Sequence, residues 1–227
     1  MALSVFFLSA RLLFRRMGIL LVGNVLWILF SLPLVTWPAA TGALFYLVYR
    51  VVQEERAADP HYARPSDFWE GFRRYWPQSS LLALLDLVIL VILVVALRFY
   101  GGGAIEGLRW VVGPVAVIAL AWLGAQMYLF PLLIVAPDKS PVAVLRTALL
   151  TAIGYPAYTL TLLVLSLLLA AICFVLAGPV LLLLFAMLAM VQTMALRIVR
   201  IQRGEIPPGP STEEEKPRSD QRRRSRR

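Results

Sequence analysis

One carboxylate, Asp86, stands inside an almost purely apolar run, SSLLALLDLVILVILVVAL over residues 79–97. In hydrocarbon an ionised side chain costs roughly 3 kcal/mol or more, so such a residue is expected to face other helices or water and to carry a function by default. A structural role is the alternative, because Asp86 lies only 7 residues into the run and an arginine near the interface could pair with it. Catalysis would need a second group, and none stands in the apolar runs: there is no other intramembrane carboxylate for an acid/base pair, no HExxH and no GxSxG. The sole histidine, His61, shares a polar loop with Asp59, and Asp67 follows, but a zinc site wants three or four well-placed donors. A single cysteine, Cys173, allows neither an internal disulfide nor a thiolate metal site. The glycines of GGGAIEGLR read as a turn, since no preceding strand or lysine makes them a phosphate cradle. The residues therefore point to a protein that is not an enzyme and carries no metal or cofactor.

The elements that must position Asp86 are membrane helices. Of the 227 residues, 60% are hydrophobic and 15% charged, and the mean hydropathy is +0.77. A soluble domain is nearer half apolar and about a quarter charged, so the excess faces lipid. The first apolar run, 17–36, is about 20 residues, longer than the roughly 7–15 of a signal-peptide core, and reads as a retained span despite the arginines before it. Pro33 and Pro38 with Gly42 turn it into a short second arm, 39–53, which could instead be re-entrant. Further spans are expected over 79–97, 111–135, 157–177 and 180–196, the last two separated by Gly178-Pro179.

Between the spans lie amphipathic segments. Asp67-x-x-Glu70 has capping-box spacing, and Phe68, Trp69, Phe72, Tyr75 and Trp76 then share one helical face opposite Arg73 and Arg74. That pattern suits a helix lying in the membrane interface and ended by Pro77; an aromatic belt on an ordinary span is the other reading. Ser140-Pro141 is an N-cap with proline at the first helical position, opening a short helix that ends near Gly154-Tyr155-Pro156. Arg197, Arg200 and Arg203 close the last helix at the headgroups. Residues 204–227 are proline, serine and charge, a disordered tail after a transmembrane domain of residues 1–203.

The formal charge of +9 sorts by side. With six spans and both termini cytosolic, 20 of the 22 lysines and arginines lie inside: three before the first span, five in the 50–78 loop, Lys139 and Arg146, and ten from Arg197 onward. A five-span chain breaks the positive-inside bias whichever way it is turned. The arginines thus meet anionic lipid headgroups rather than nucleic acid. The fold class is an all-α polytopic transmembrane bundle of six spans with short interfacial helices. In that arrangement Asn24, Asp86, Gln126 and Gln192 each lie about 10–15 Å from the cytosolic end of their spans, with Tyr158 and Thr161 able to join them. They could line a cytosol-facing polar pocket, or serve as interhelical hydrogen-bond glue. Three basic segments, SVFFLSARLLFRR, SDFWEGFRRYW and SPVAVLRTALL, each precede a hairpin, suggesting a threefold repeat of one interfacial helix and two spans.

The stretch NVLWILFSLPLVTWPAATGALFYLVYRVV, followed by DFWEGFRRYWPQS, resembles the YesL-like family of bacterial integral membrane proteins, a domain of unknown function. Asn24, Trp27, Leu32-Pro33, Thr36, Pro38-Ala39 and Ala43-Leu44 fit its LP-x-x-T-x-PA pattern, and Phe68, Gly71, Phe72 and Arg73 its F-x-x-GF-K/R segment; Tyr75 stands where the family has asparagine. The resemblance, over roughly residues 9–200, implies a bacterial inner-membrane protein of a family often encoded beside carbohydrate-uptake genes, and it brings no catalytic residues. Two roles follow as expectations: a non-catalytic accessory or scaffold for solute-uptake transporter subunits, or a carrier that recognises a solute or lipid head at Asp86 and the amides.

Overall fold

The computed structural model describes residues 16–54, 63–102, 110–175 and 181–206. The arginine-rich start with Arg11 and Arg15, Asp59 and His61, the loop 103–109, the Gly178-Pro179 turn and the tail from 207 lie outside the described residues, and Cys173 is described in its backbone only. Among the described residues there are eight α-helices and no strand: α1 Met17–Ser31, α2 Trp37–Glu54, α3 Ser66–Gly101, α4 Val112–Ala125, α5 Leu129–Val135, α6 Pro141–Gly154, α7 Pro156–Val175 and α8 Leu181–Gln202.

Residues Met1–Leu196 form one compact unit and Arg197–Arg227 a second. Within the first, α1 buries Leu20, Gly23, Asn24 and Trp27, a stripe at 3.6-residue spacing. Gly23 lets α2 come close, since a Cβ there would overlap Leu47. The turn between them explains the LP-x-x-T spacing: the Thr36 hydroxyl donates to the Phe30 and Pro33 carbonyls at 2.5 and 2.8 Å, and Trp27 Nε1 donates to Thr41 at 3.1 Å. Helix α2 is covered nearly all round, with Ala39, Ala40, Ala43, Leu44, Leu47 and Val48 buried. Small residues seat it on α3. A Cβ on Gly42 would overlap the Ser79 hydroxyl, and one on Gly71 would come within 2.8 Å of Tyr46.

Helix α3 corrects the expected proline break. It runs unbroken for 36 residues with Pro77 inside it. Pro77 has no N–H to give the Arg73 carbonyl, yet the close packing on α2 on both sides of it, at Gly71 and Ser79, holds the helical path. At 1.5 Å per residue α3 is about 54 Å long, against about 30 Å of hydrocarbon, so it projects well beyond any bilayer it crosses. The capping box also does not form: Pro65 is the N-cap residue, Asp67 accepts from the Arg64 N–H at 3.0 Å and from Arg50 Nε at 3.5 Å, and Glu70 accepts from Tyr46 at 2.8 Å. Starting at Ser66 puts both carboxylates inside the first turns, where each serves a neighbour instead.

The fourth apolar run is likewise two helices, α4 and α5, bent by 49°. By contrast Ser140 caps α6 as expected, accepting from the Ala143 N–H at 3.3 Å, and the chain turns by 102° between α6 and α7. The second and third units of the expected repeat therefore differ, and the first basic segment lies outside the described residues but for Arg16. The basic segment before the third run is continuous with it, whereas the one before the fifth meets it at a right angle.

Among the described residues two helices are long and apolar enough to cross a membrane, Ser66–Gly101 and Leu184–Gln202, or up to four if each bent pair is one span; α1, at 15 residues, is shorter. Such apolar helices fit a membrane protein. In the second unit α8 ends in a Schellman motif: the N–H groups of Gly204, at φ 72°, and Glu205 return to the carbonyls of Ile201 and Arg200.

Candidate functional site: a broken helix and its polar seam

The break between α4 and α5 begins with Pro131. Without an N–H it cannot bond the Met127 carbonyl, and its ring crowds that carbonyl. The backbone tightens instead: the Met127 N–H reaches the Gly124 carbonyl at 3.2 Å and the Tyr128 N–H the Ala125 carbonyl at 2.9 Å, both i→i+3 bonds. Met127 and Tyr128 therefore leave the α-helical register just after Gln126, whose N–H still reaches the Trp122 carbonyl at 3.3 Å, and the side chains of these three residues reach three different helices.

Gln126 Nε2 donates to Asp86 Oδ1 on α3 at 2.7 Å, and Trp122 Nε1, one turn earlier, donates to the same oxygen at 2.9 Å. The Met127 sulfur accepts long contacts of 3.9 Å from Ser166 on α7 and Gln192 on α8. Tyr128 and Thr159 share a hydrogen bond of 3.0 Å between α5's leading edge and α7. Gly124 lies so near α7 that a Cβ would stand 2.9 Å from Thr159. The result is a seam of polar contacts, one helix turn deep, tying four helices together at the break.

Asp86 is half-buried, and among the described residues it makes no ion pair. Its neighbours are an indole and an amide rather than the arginine that a structural pairing would use. Both donors converge on Oδ1, and among the described residues no donor reaches Oδ2. A carboxylate oxygen in this position can accept a further hydrogen bond, which is the chemistry the arrangement offers.

Of the six residues expected in a polar pocket, the seam joins Asp86 and Gln126 directly and brings in Gln192 through Met127. Asn24 is fully buried on α1. Tyr158 packs beside Leu162, Val191 and Ala195, its hydroxyl enclosed and without a partner among the described residues. Thr161 is exposed and bonds the Ala157 carbonyl of its own helix at 2.7 Å, so it stands apart. Trp122, Met127, Tyr128, Thr159 and Ser166 complete the seam and lie outside the expected six. Trp122 and Pro131 carry a signal, the first at i−4 from Gln126 on one helix face and the second four residues after Met127, whose carbonyl it leaves without a helical partner.

The residues expected at the membrane interface divide. Phe68 and Phe72 are buried, their rings 6.1 and 5.2 Å from Phe30 of α1, whereas Trp69 and Trp76 are exposed. The aromatic face thus packs largely on α1 and α2, because those helices offer it an apolar partner within the chain. Arg73 and Arg74 are exposed, the latter 3.9 Å from Glu70. Arg200 and Arg203 both pair with Glu205, at 2.9 and 3.8 Å, and Arg197 is half-buried. Tyr75 holds Lys139: Nζ donates to its hydroxyl at 2.8 Å and lies 4.4 Å from the ring centroid. Among the described residues, no group of three or more His, Cys, Asp or Glu gathers as metal ligands do.

Residues 20–97 match a protein family described as "Protein of unknown function, DUF624". The DUF624 match covers α1, α2 and most of α3, including Asp86, and stops before Trp122 and Gln126 that hold its carboxylate. No curated protein and no solved structure matches the chain.

Proposed function

We propose that this chain is a multi-pass protein of a bacterial inner membrane that acts by non-catalytic association, as an accessory or scaffold to a solute-uptake transporter. What supports the reading is the outer half of α3. Its most apolar 18-residue window is only 11% buried, against 56% for the corresponding window of α8. Beyond the narrow face with Asp86 and Leu93, where Trp122 and Gln126 meet it, the surface of this span is exposed among the described residues and can receive a partner. The likeness to the YesL-like pattern supplies the uptake setting, carbohydrate included, and the bacterial inner membrane. Six spans with both termini cytosolic complete the proposal, with α2 as the short second span. Native mass spectrometry of the protein gently extracted from its own membranes tests it. A reproducible complex with other membrane subunits is expected; a lone chain would overturn the accessory role.

A second reading, a carrier or receptor for a solute or lipid head, draws on the broken helix beside Asp86. Asp86→Asn would then lose binding or transport while the fold survives, whereas a scaffold keeps its partner. Unchanged binding of every candidate solute by the folded variant removes this reading.

A further inference from the structure

We propose that one anionic phospholipid binds in the corner between α4, α6 and α7, with its acyl chain in an apolar groove and its phosphate at Arg146. The inference rests on the chain residing in a membrane with α7 crossing it, and is independent of any partner on α3. Because α6 meets α7 at 102°, a membrane-crossing α7 lays α6 nearly in the plane of the bilayer. Helix α6 has the two faces that this position asks for. Val144, Ala148, Thr151 and Ala152 are buried in the protein, and on the opposite side Val142, Leu150 and Ile153 are exposed together with Arg146.

The groove, about 490 Å³, opens where α6 turns into α7 and is walled by Val117, Leu120 and Ala121 of α4, Ile153 of α6, and Leu160 and Leu163 of α7. Thr159 is the one polar side chain in that wall, and its hydroxyl is already bonded to Tyr128 at 3.0 Å. An occupant therefore finds no free side-chain hydrogen-bonding group there and must insert hydrocarbon. Charge selects the rest of the molecule. Helices α4, α6 and α7 together carry a single charged side chain, Arg146, and no carboxylate. Arg146 makes no ion pair among the described residues. It stands seven residues before Ile153 on the same face, about 10 Å along a helix that lies in the membrane plane, so its guanidinium sits beside the mouth of the groove at the depth of α6 itself. A guanidinium at that level pairs with a phosphate bidentately, and the net charge of an anionic lipid is left favourable where a zwitterionic one brings its own cation.

The test uses the full chain reconstituted in vesicles of phosphatidylcholine and phosphatidylglycerol in equal parts. Flotation with the vesicles is scored first, then retained lipid by native mass spectrometry. The parent is expected to float and keep one phosphatidylglycerol in preference to phosphatidylcholine. Arg146→Gln should lose that preference by about tenfold, as expected for one charge-assisted hydrogen bond. Ala121→Phe, which fills the groove and leaves Arg146 in place, should lose bound lipid of both kinds; Leu160→Trp serves if that variant does not fold. Equal retention of the two lipids by the parent, undiminished preference in Arg146→Gln, or a lipid-free dimer seated on the groove would each overturn the site while leaving membrane residence intact. A chain that does not float overturns both.

Discussion

The two halves of α3 are one helix with opposite fates. From Ser66 to Leu82 it buries Phe68, Gly71, Phe72, Tyr75, Ser79 and Leu82, and beyond that only Leu93. The inner half carries Asp67, Glu70, Arg73 and Arg74 and is the less apolar, yet it holds the core; the outer half is almost pure Leu, Ile and Val and stays bare. The difference teaches that burial along this helix follows small residues, aromatic rings and hydrogen-bonding side chains rather than apolarity. Lipid is as apolar as leucine, so helices associate where backbones can approach and polar groups can meet.

The largest expected effect breaks that close approach. Gly71→Leu forces side-chain atoms into the space of Tyr46 and should destabilise the folded chain by about 3 kcal/mol, while Leu87→Ala in the outer half should change it by about 0.5 kcal/mol or less. Unfolding in mixed detergent micelles measures both. Equal losses would mean that the two halves are packed alike.

Next is the seam. Asp86→Leu strands the indole of Trp122 and the amide of Gln126 without their acceptor and should cost about 1–3 kcal/mol in the same assay. Asp86→Asn retains an acceptor oxygen and should cost less, about 1 kcal/mol. If the two variants unfold alike, the hydrogen bonds at Oδ1 do not hold α3 to α4. A smaller change is expected from Arg74→Gln, about 0.5 kcal/mol or less, because its 3.9 Å pair with Glu70 is exposed.

Pro131→Ala sharpens the account through geometry instead of stability. Returning an N–H to position 131 lets the Met127 carbonyl regain its partner, so the 49° bend between α4 and α5 should relax. Spin labels at positions 117 and 134 should move apart in pulsed dipolar measurements. An unchanged distance would place the cause of the break in the contacts of residues 126–128 rather than in proline.

Much of this frame was legible from residue types. Ser140-Pro141 opens α6, Tyr155-Pro156 separates α6 from α7, and Asp86 with Gln126 does meet, because caps, proline breaks and intramembrane polar groups are local signals with strong physics. What the sequence left hidden depended on tertiary contact. Pro77 looks like a stop until α2 is seen gripping α3 at Gly71 and Ser79. Phe68 and Phe72 read as lipid-facing until Phe30 is seen against them. The second and third units of the repeat differ for the same reason, since similar basic segments are bent or straightened by what each packs on. Pro131 is a local signal inside an apolar run, where the run's length alone suggests one straight span.

The most direct test of the account is site-resolved photo-cross-linking along the outer half of α3 in native membranes. Leu84, Val88, Val91 and Val95 share one face of that helix, and each is exposed. If the bare half exists to receive a partner, probes at these four positions should capture one defined membrane protein, with lipid adducts from Leu87 and Val94 on the neighbouring face. Lipid adducts alone from all six positions would contradict it.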